Sequence, residues 1–386
     1  MNVLMITERY HPIWGGAENQ LRQLVPYLQK RGCCVRILTR RWHRDASRTE
    51  IVDGARVCRT GVAGQSSFAS VVFTMSMIVR ILQDAGTIDI IHSHGAAAMA
   101  AAGKAAAMLT GKKSVCKIAT AGRITGLRRQ PAGRLILPLF KRSDAVVCIS
   151  NEIHNELMTV GTSPRAIYRI PNAVDAKKFK PFDEGSRERW RRQRHIAADA
   201  PVVMFSGRLV ERKGLDNLID AWTEVHGAFP EAHLFILGSG TLQPDSVEGR
   251  IRERIRSTGM RHIHLEGQTA TPEKYLGVAD VFVFPSRREG FPNALLEAMA
   301  SGLAIVATRI GGVTDLVQDS RTGLLYDVND ASQLAEKMKI LLGNRNLRVE
   351  IGRRARRHVL CHYDFESIAS KYMQLYRSIC RSKTRR

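Results

Sequence analysis

Acidic residues are in short supply. The 386 residues carry 36 Asp plus Glu against 59 Lys plus Arg, a formal net charge of +23. More of that excess falls in residues 1–170 than in the rest. Such an imbalance favours anionic partners, meaning nucleic acid, anionic lipid or phosphorylated substrates. Aromatic residues are also few, at 6%. No basic stretch is interleaved with rings on which bases could stack, which argues against nucleic acid as the partner. Long hydrophobic runs are missing as well. The longest apolar tracts, Ser70 to Leu82 and Gly95 to Thr110, are too short or are interrupted by Lys104. No segment is therefore expected to span a membrane, while association with a membrane surface stays open. The seven cysteines form no CxxC pair and no metal-ligand spacing, the pattern of reduced thiols in a cytosolic protein. Met1 to Thr7 is a strand-length apolar run without a basic lead, so no secretory signal is expected there.

What the chain does have is a repeating unit of apolar run, glycine and helix. At 386 residues it is too long for one ordinary domain, and two of comparable size are expected. Val3 to Thr7, Val35 to Thr39, Ile88 to His94, Ser114 to Ile118 and Ala145 to Ser150 read as strands of an open parallel sheet. Another strand is expected over Ile51 to Arg59, around an Asp53-Gly54 turn. Asp183 to His195 is polar and Arg-rich and reads as the linker. That gives a first α/β domain over 1–182 and a second over 196–364. In the second, Val202–Ser206, His233–Leu237, His262–Leu265 and Ala304–Ala307 each lead to glycine. Helices are expected over 332–342, 345–362 and from Phe365 onward.

The stretch with most chemistry is Arg288 to Gly302. It follows the buried strand Val281–Phe284 and carries Glu289 in a Gly- and Pro-punctuated loop. A helix is expected from Asn293, with Pro292 suited to its first turn and Gly302 to its end. Glu297 lies inside that helix. The helix N-terminus offers unpaired N–H groups and a positive dipole end to a phosphate, and carboxylates suit sugar hydroxyls. A solvated loop Glu and a solvated helix Glu would look the same in isolation. Arg208 and Lys213, five apart in a strand-to-helix loop, could converge on one diphosphate; a solvated basic loop is the other reading. Gly15-Gly16 after the first strand could let an anion approach the backbone, or could be a simple tight turn. Alternation sends His92 and His94 to one side of the sheet, at the strand end where open α/β sheets bind ligands. No third ligand for a metal is suggested nearby.

Together these stretches resemble the retaining family-4 glycosyltransferases of the GT-B fold. The resemblance covers nearly the whole chain and is densest in IPNAVD, SGRLVERKG, LGSG, ADVFVFPS, EGFPNALLEAMASG and GGVTDLV; YHPIWGGAENQL is a looser match. It implies two Rossmann-like domains facing across a cleft, with the last helix, 365–386, returning to complete the first domain. The second domain would bind a nucleotide sugar. Arg208 and Lys213 match the diphosphate clamp, Glu297 the residue on the ribose hydroxyls, and Glu289 the residue on the donor sugar. Backbone amides of Phe291, Asn293 and Ala294 would meet sugar and phosphate, and Gly16 the phosphate from the first domain. The His92/His94 strand end matches the position of a donor-side histidine, with His94 favoured because it is nearest the loop. Two departures stand out. Asn172-Ala173-Val174-Asp175 has Ala where Gly is usual, and Ala119 to Arg123 lacks the common Thr-His-Gly type of loop.

No Asp-x-Asp sits at a strand end, so neither a metal nor another cofactor is expected. The charge on the leaving diphosphate would be met by Arg208, Lys213 and the helix N-terminus. The function expected is transfer of a hexose from a nucleotide-diphosphate sugar, with retention, to a growing and lipid-linked cell-surface glycan. A nucleotide-sugar epimerase or hydrolase on the same fold is an alternative, and a nucleic-acid-binding protein a remote one. The expected location is cytoplasmic, on the inner face of the membrane if Arg123 to Arg142 (RITGLRRQPAGRLILPLFKR) rests on anionic lipid. The same segment reads equally as a core helix flanked by solvated arginines, and Pro138 argues against one long amphipathic helix.

Overall fold

A computed structural model describes residues 1–12, 15–64, 66–95, 97–241 and 243–381. The chain divides into two compact units, one of residues 1–172 with 365–386, the other of residues 173–364.

The first unit contains β1 (Asn2–Thr7), α1 (Gly16–Gln29), β2 (Cys34–Arg40), β3 (Thr49–Val52), β4 (Ala55–Thr60), α2 (Ser67–Gln83), β5 (Ile90–His94), α3 (Ala97–Thr110), β6 (Lys113–Ile118), α4 (Arg123–Arg128), α5 (Gly133–Lys141), β7 (Ala145–Cys148), α6 (Asn151–Thr159) and β8 (Ile167–Arg169). Among the described residues these strands form one eight-stranded sheet in the order β3-β4-β2-β1-β5-β6-β7-β8. Every pairing is parallel except β3 with β4. That pair is a hairpin turning at Asp53 and Gly54, both at positive φ, where the sequence suggested one strand around a turn. Strand order runs outward from β1 in both directions, so right-handed crossovers put α1 on one face and α2 and α3 on the other. Accordingly α2 packs on α3 and α3 on α5.

The second unit contains α7 (Glu184–Gln193), β9 (Val202–Ser206), α8 (Leu215–Ala228), β10 (His233–Leu237), α9 (Glu248–Thr258), β11 (Ile263–Gly267), α10 (Pro272–Leu276), β12 (Val281–Phe284), α11 (Asn293–Ala300), β13 (Ala304–Thr308), α12 (Gly311–Thr314), β14 (Leu324–Tyr326), α13 (Ala331–Gly343) and α14 (Arg345–His362). Its sheet is wholly parallel, in the order β11-β10-β9-β12-β13-β14. β9 and β12 are central neighbours, so their C-terminal ends adjoin, which is where an open α/β sheet binds ligands. The core beneath them is built on Phe205, Trp222, Ile236 and Val283, each fully buried.

The last helix, α15 (Phe365–Arg381), belongs to the first unit. Its periodic face of Ile368, Tyr372, Leu375, Tyr376 and Ile379 is buried, and it packs on α1.

The expected linker needs correction, and the two readings of 123–142 can be compared with the structure. The segment 183–195 is not a linker, and the units meet at Asn172/Ala173 rather than after 182. Residues 183–195 hold helix α7, capped by the Asp183 side chain. It buries Trp190 and Arg191 at 8% and 3% exposure. Arg191 donates to Asp280 Oδ2 at 3.0 Å and to Ala200 O at 2.6 Å, and Arg187 donates to Asp280 Oδ1 at 2.6 Å. Arginine-rich composition suggested solvent, but here the guanidinium groups satisfy a buried carboxylate and strand-end carbonyls. The segment 123–142 is two short helices, α4 and α5, with Pro138 inside α5. Leu137 and Phe140 are buried core, and only Leu135 of its large apolar residues is fully exposed, at 78%.

Candidate active site

In the second unit the ends of β9 and β12 bring together the loop 207–214 and the loop 285–292. After β9 the chain makes a 3-10 turn over Glu211–Lys213 and enters α8 through Gly214, at φ +66. A Cβ at Gly214 would collide with the Pro285 carbonyl, so only glycine lets the two loops touch. The contact is then laced by hydrogen bonds. Arg287 N donates to Arg212 O at 2.8 Å, and its guanidinium reaches Glu211 Oε1 at 2.6 Å. From β13, Thr308 Oγ1 donates to Ser286 O at 2.6 Å. Beneath the loop, a Cβ on Gly312 would strike Gly290 O, so α12 can abut it only as glycine.

This lacing sets Glu289 against two cations. Its Oε1 lies 2.7 Å from Lys213 Nζ and 2.8 Å from Arg212 Nη1. Burial pushes the Glu289 carboxyl up, but the adjacent Lys213 and Arg212 charges outweigh it, and the net shift is downward. Lys213 is buried, and desolvation lowers its ammonium against the pull of Glu289. It also lies 4.8 Å from the centre of the Phe284 ring. A compact, dehydrated lysine held by one carboxylate is a charge ready to be shared with an incoming anion.

The other expected residues of this unit fall around that pair. Arg208 is exposed and donates to Gln243 Oε1 at 3.1 Å, so it and Lys213 are not bonded to a common group. Phe291 is buried, its ring 5.7 Å from that of Tyr363. Asn293 and Ala294 open α11, whose N-cap residue Pro292 supplies no side-chain cap, and the helix start carries the positive end of the dipole. Glu297 is half-buried in the second turn of α11. Desolvation raises its carboxyl to about 7, opposed by Lys178 and helped by Glu273.

Gly16 and His94 lie in the first unit. Gly16 is the first residue of α1, after an extended Gly15; Ile13 and Trp14 of the same stretch lie outside the described residues. His92 and His94 do share a side, their rings 4.1 Å apart. Their environments differ. His92 is fully buried, with Nδ1 2.7 Å from the Tyr376 hydroxyl of α15, and burial drives it down to about 3. His94 is half-buried at the strand end and is held neutral by burial, then by His92 and Lys117. His92 is thus the packing histidine of the pair.

Sequence reasoning missed Arg212 and Lys117. Arg212 was hidden beside Lys213 in one basic run. Lys117 pairs in register with His94, is buried, and donates to Asn172 Oδ1 at 3.1 Å. Burial lowers it to about 8. The signal was available: a lysine inside the apolar strand Val115-Cys116-Lys117-Ile118 cannot point to solvent in a sheet covered on both faces. Among the described residues no group of three or more His, Cys, Asp or Glu is placed to hold a metal ion.

Comparison with known proteins agrees with this architecture. Residues 14–178 match the sequence model for "Glycosyltransferase Family 4", and residues 186–358 that for "Glycosyl transferases group 1". The chain belongs to glycosyltransferase family 4. Family relatives include an alpha-maltose-1-phosphate synthase of Mycolicibacterium smegmatis, 26% identical over 98% of this chain and 100% of that protein. A second is a GDP-mannose-dependent alpha-(1-6)-phosphatidylinositol monomannoside mannosyltransferase of Mycobacterium tuberculosis, 27% identical over 97% of this chain and 98% of that protein. Among solved structures, Anabaena Alr3699/HepE in complex with UDP superposes with a TM-score of 0.82 at 19% identity, covering 98% of this chain and 100% of that one. The fold of the family-4 enzyme is accordingly GT-B, two Rossmann-like α/β domains.

Proposed function

We propose that this glycosyltransferase moves a hexose from a nucleotide-diphosphate sugar, with retention and without a metal ion, to a growing lipid-linked cell-surface glycan at the inner face of the cytoplasmic membrane. The observation that carries the reading is the cluster of buried Lys213, Glu289 and partly exposed Arg212, in the loops that lead into α8 and α11. Lys213 and Arg208 take the diphosphate. As the bond to the sugar breaks, negative charge grows on the leaving phosphate, and a dehydrated ammonium and the positive end of the α11 dipole stabilise it in proportion. That is the work a divalent cation would otherwise do. Amides of Phe291, Asn293 and Ala294 bind sugar and phosphate.

Glu289 orients the donor sugar through its hydroxyls while keeping Lys213 in place, and Glu297 accepts from the ribose hydroxyls. His94, neutral and with Nε2 unpartnered, is able to accept a proton or a hydrogen bond from a sugar hydroxyl. Nucleotide sugar as donor is supported by the UDP-bound HepE fold relative, and a lipid acceptor by the phosphatidylinositol mannoside relative.

Thermal shift against a panel of nucleotide sugars tests the donor, because a ligand that binds only the folded chain raises Tm. The stabilising donor is then offered with lipid extracts. Stabilisation by at least one nucleotide sugar and acceptor-dependent release of nucleoside diphosphate are expected. Turnover indifferent to every glycan acceptor would replace transfer by hydrolysis or epimerisation.

A further inference from the structure

Helix α2 is apolar on two opposite sides. Its inner face, Ala69, Phe73, Met77 and Ile81, is buried against the sheet and α3. Its outer face carries Phe68, Val71, Met75, Val79 and Leu82, which are 70%, 57%, 62%, 51% and 43% exposed. At 3.6 residues per turn those five positions fall within an arc of about 80°, centred opposite the buried face. Arg80 is the one charged residue among the 17 of this helix, and it is paired with Asp84 at 2.9 Å. An ordinary surface helix places polar groups outward. A stripe of five large apolar side chains along one helix asks for a partner.

The neighbouring elements indicate its chemistry. α3, packed on α2, ends in exposed Met108 and Leu109, and α5, packed on α3, exposes Leu135 beside Arg134. Arg128, Arg129 and Arg134 are exposed and form no ion pair among the described residues. Apolar groups flanked by unneutralised arginines match the acyl boundary and anionic headgroups of a bilayer. A second copy of the chain fits less well, since each copy carries +23 and would bring its arginines against like charge. No described helix is long and apolar enough to cross a membrane, so α2 can lie in the interface but not span it.

We infer that the outer face of α2 is the membrane-inserting surface of this protein, seated in an anionic leaflet with the α4–α5 arginines on the headgroups. It rests on the lipid-linked acceptor reading above and assigns the apolar insertion to α2 rather than to the 123–142 segment, whose Leu137 and Phe140 are core and which contributes its arginines.

The test is co-sedimentation of the full chain with phosphatidylglycerol vesicles. Val71→Gln, Met75→Gln and Val79→Gln together should weaken binding about 100-fold, since three apolar side chains no longer leave water. The sites are exposed, so folding and donor hydrolysis should be unchanged. As a second variant, Met75→Trp should show indole quenching by brominated lipid that wild type lacks. Full vesicle binding by the triple variant overturns the inference, as does a wild-type dimer that the triple variant dissociates. If wild type ignores the vesicles, membrane docking is wrong; if it still transfers sugar to a soluble acceptor, the glycosyltransferase reading survives that loss.

Discussion

Glu297→Gln should make the protein more stable above neutral pH while weakening its hold on nucleoside diphosphate. The Glu297 carboxyl is raised from 4.5 to about 7 by desolvation in the second turn of α11. A raised carboxyl favours the protonated fold. Its contribution is therefore complete below pH 4.5, declines as the pH rises toward 7, and is gone above. A shift of that size corresponds to roughly 3 kcal/mol, which the partial exposure of the residue trims to about 2 kcal/mol. Glutamine keeps the shape and removes the charge. At about pH 8 the variant should melt roughly 4–8 °C above wild type, for a domain of this size, and at about pH 4 the two should coincide. Calorimetric titration with nucleoside diphosphate should show weaker binding by the variant, since the ionised acceptor for the ribose hydroxyls is gone. A Tm difference independent of pH, or a variant no more stable than wild type at pH 8, refutes the desolvated carboxylate. Unaltered nucleotide binding refutes the role given to it.

Arg208→Ala and Lys213→Ala should each lower the transfer rate about tenfold to a hundredfold, the worth of roughly 1.5–3 kcal/mol for a charge-assisted contact; a double variant within twofold of wild type in steady-state kinetics would remove the clamp. Glu289→Gln should depress transfer yet leave free nucleoside diphosphate bound as well or better, because Lys213 loses its internal partner; parallel losses in both assays would contradict this. His92, buried and lowered to about 3, should make the first unit lose about 1.4 kcal/mol per pH unit as the pH falls from about 6.5 toward 3, seen in urea unfolding as a slope that flattens in His92→Gln. Reversing Arg128, Arg129 and Arg134 to Glu should reduce binding to anionic vesicles, each arginine contributing roughly 1 kcal/mol, and should leave donor hydrolysis intact.

The sequence by itself determined the two α/β units, the strands with glycine at their ends, and the existence of the last helix; its return to the first unit followed from the family resemblance and is what the fold shows. Periodicity and strand-end glycines are local signals that survive without tertiary context. It also placed Glu289, Arg208 and Lys213 in loops punctuated by Gly and Pro, and Glu297 inside the helix that follows. Tertiary structure alone decided which charges meet. Glu289 pairs with Lys213 and Arg212 across 76 or more residues of chain, and no spacing rule gives that distance. It likewise decided that Arg187 and Arg191 serve Asp280 in a helix rather than solvent in a linker, that His92 is fully buried against Tyr376 while His94 is half-buried at the strand end, and that the apolar tract 70–82 has one face in the core and one in solvent. Burial is a property of both partners in a contact, and one-dimensional composition carries only one of them.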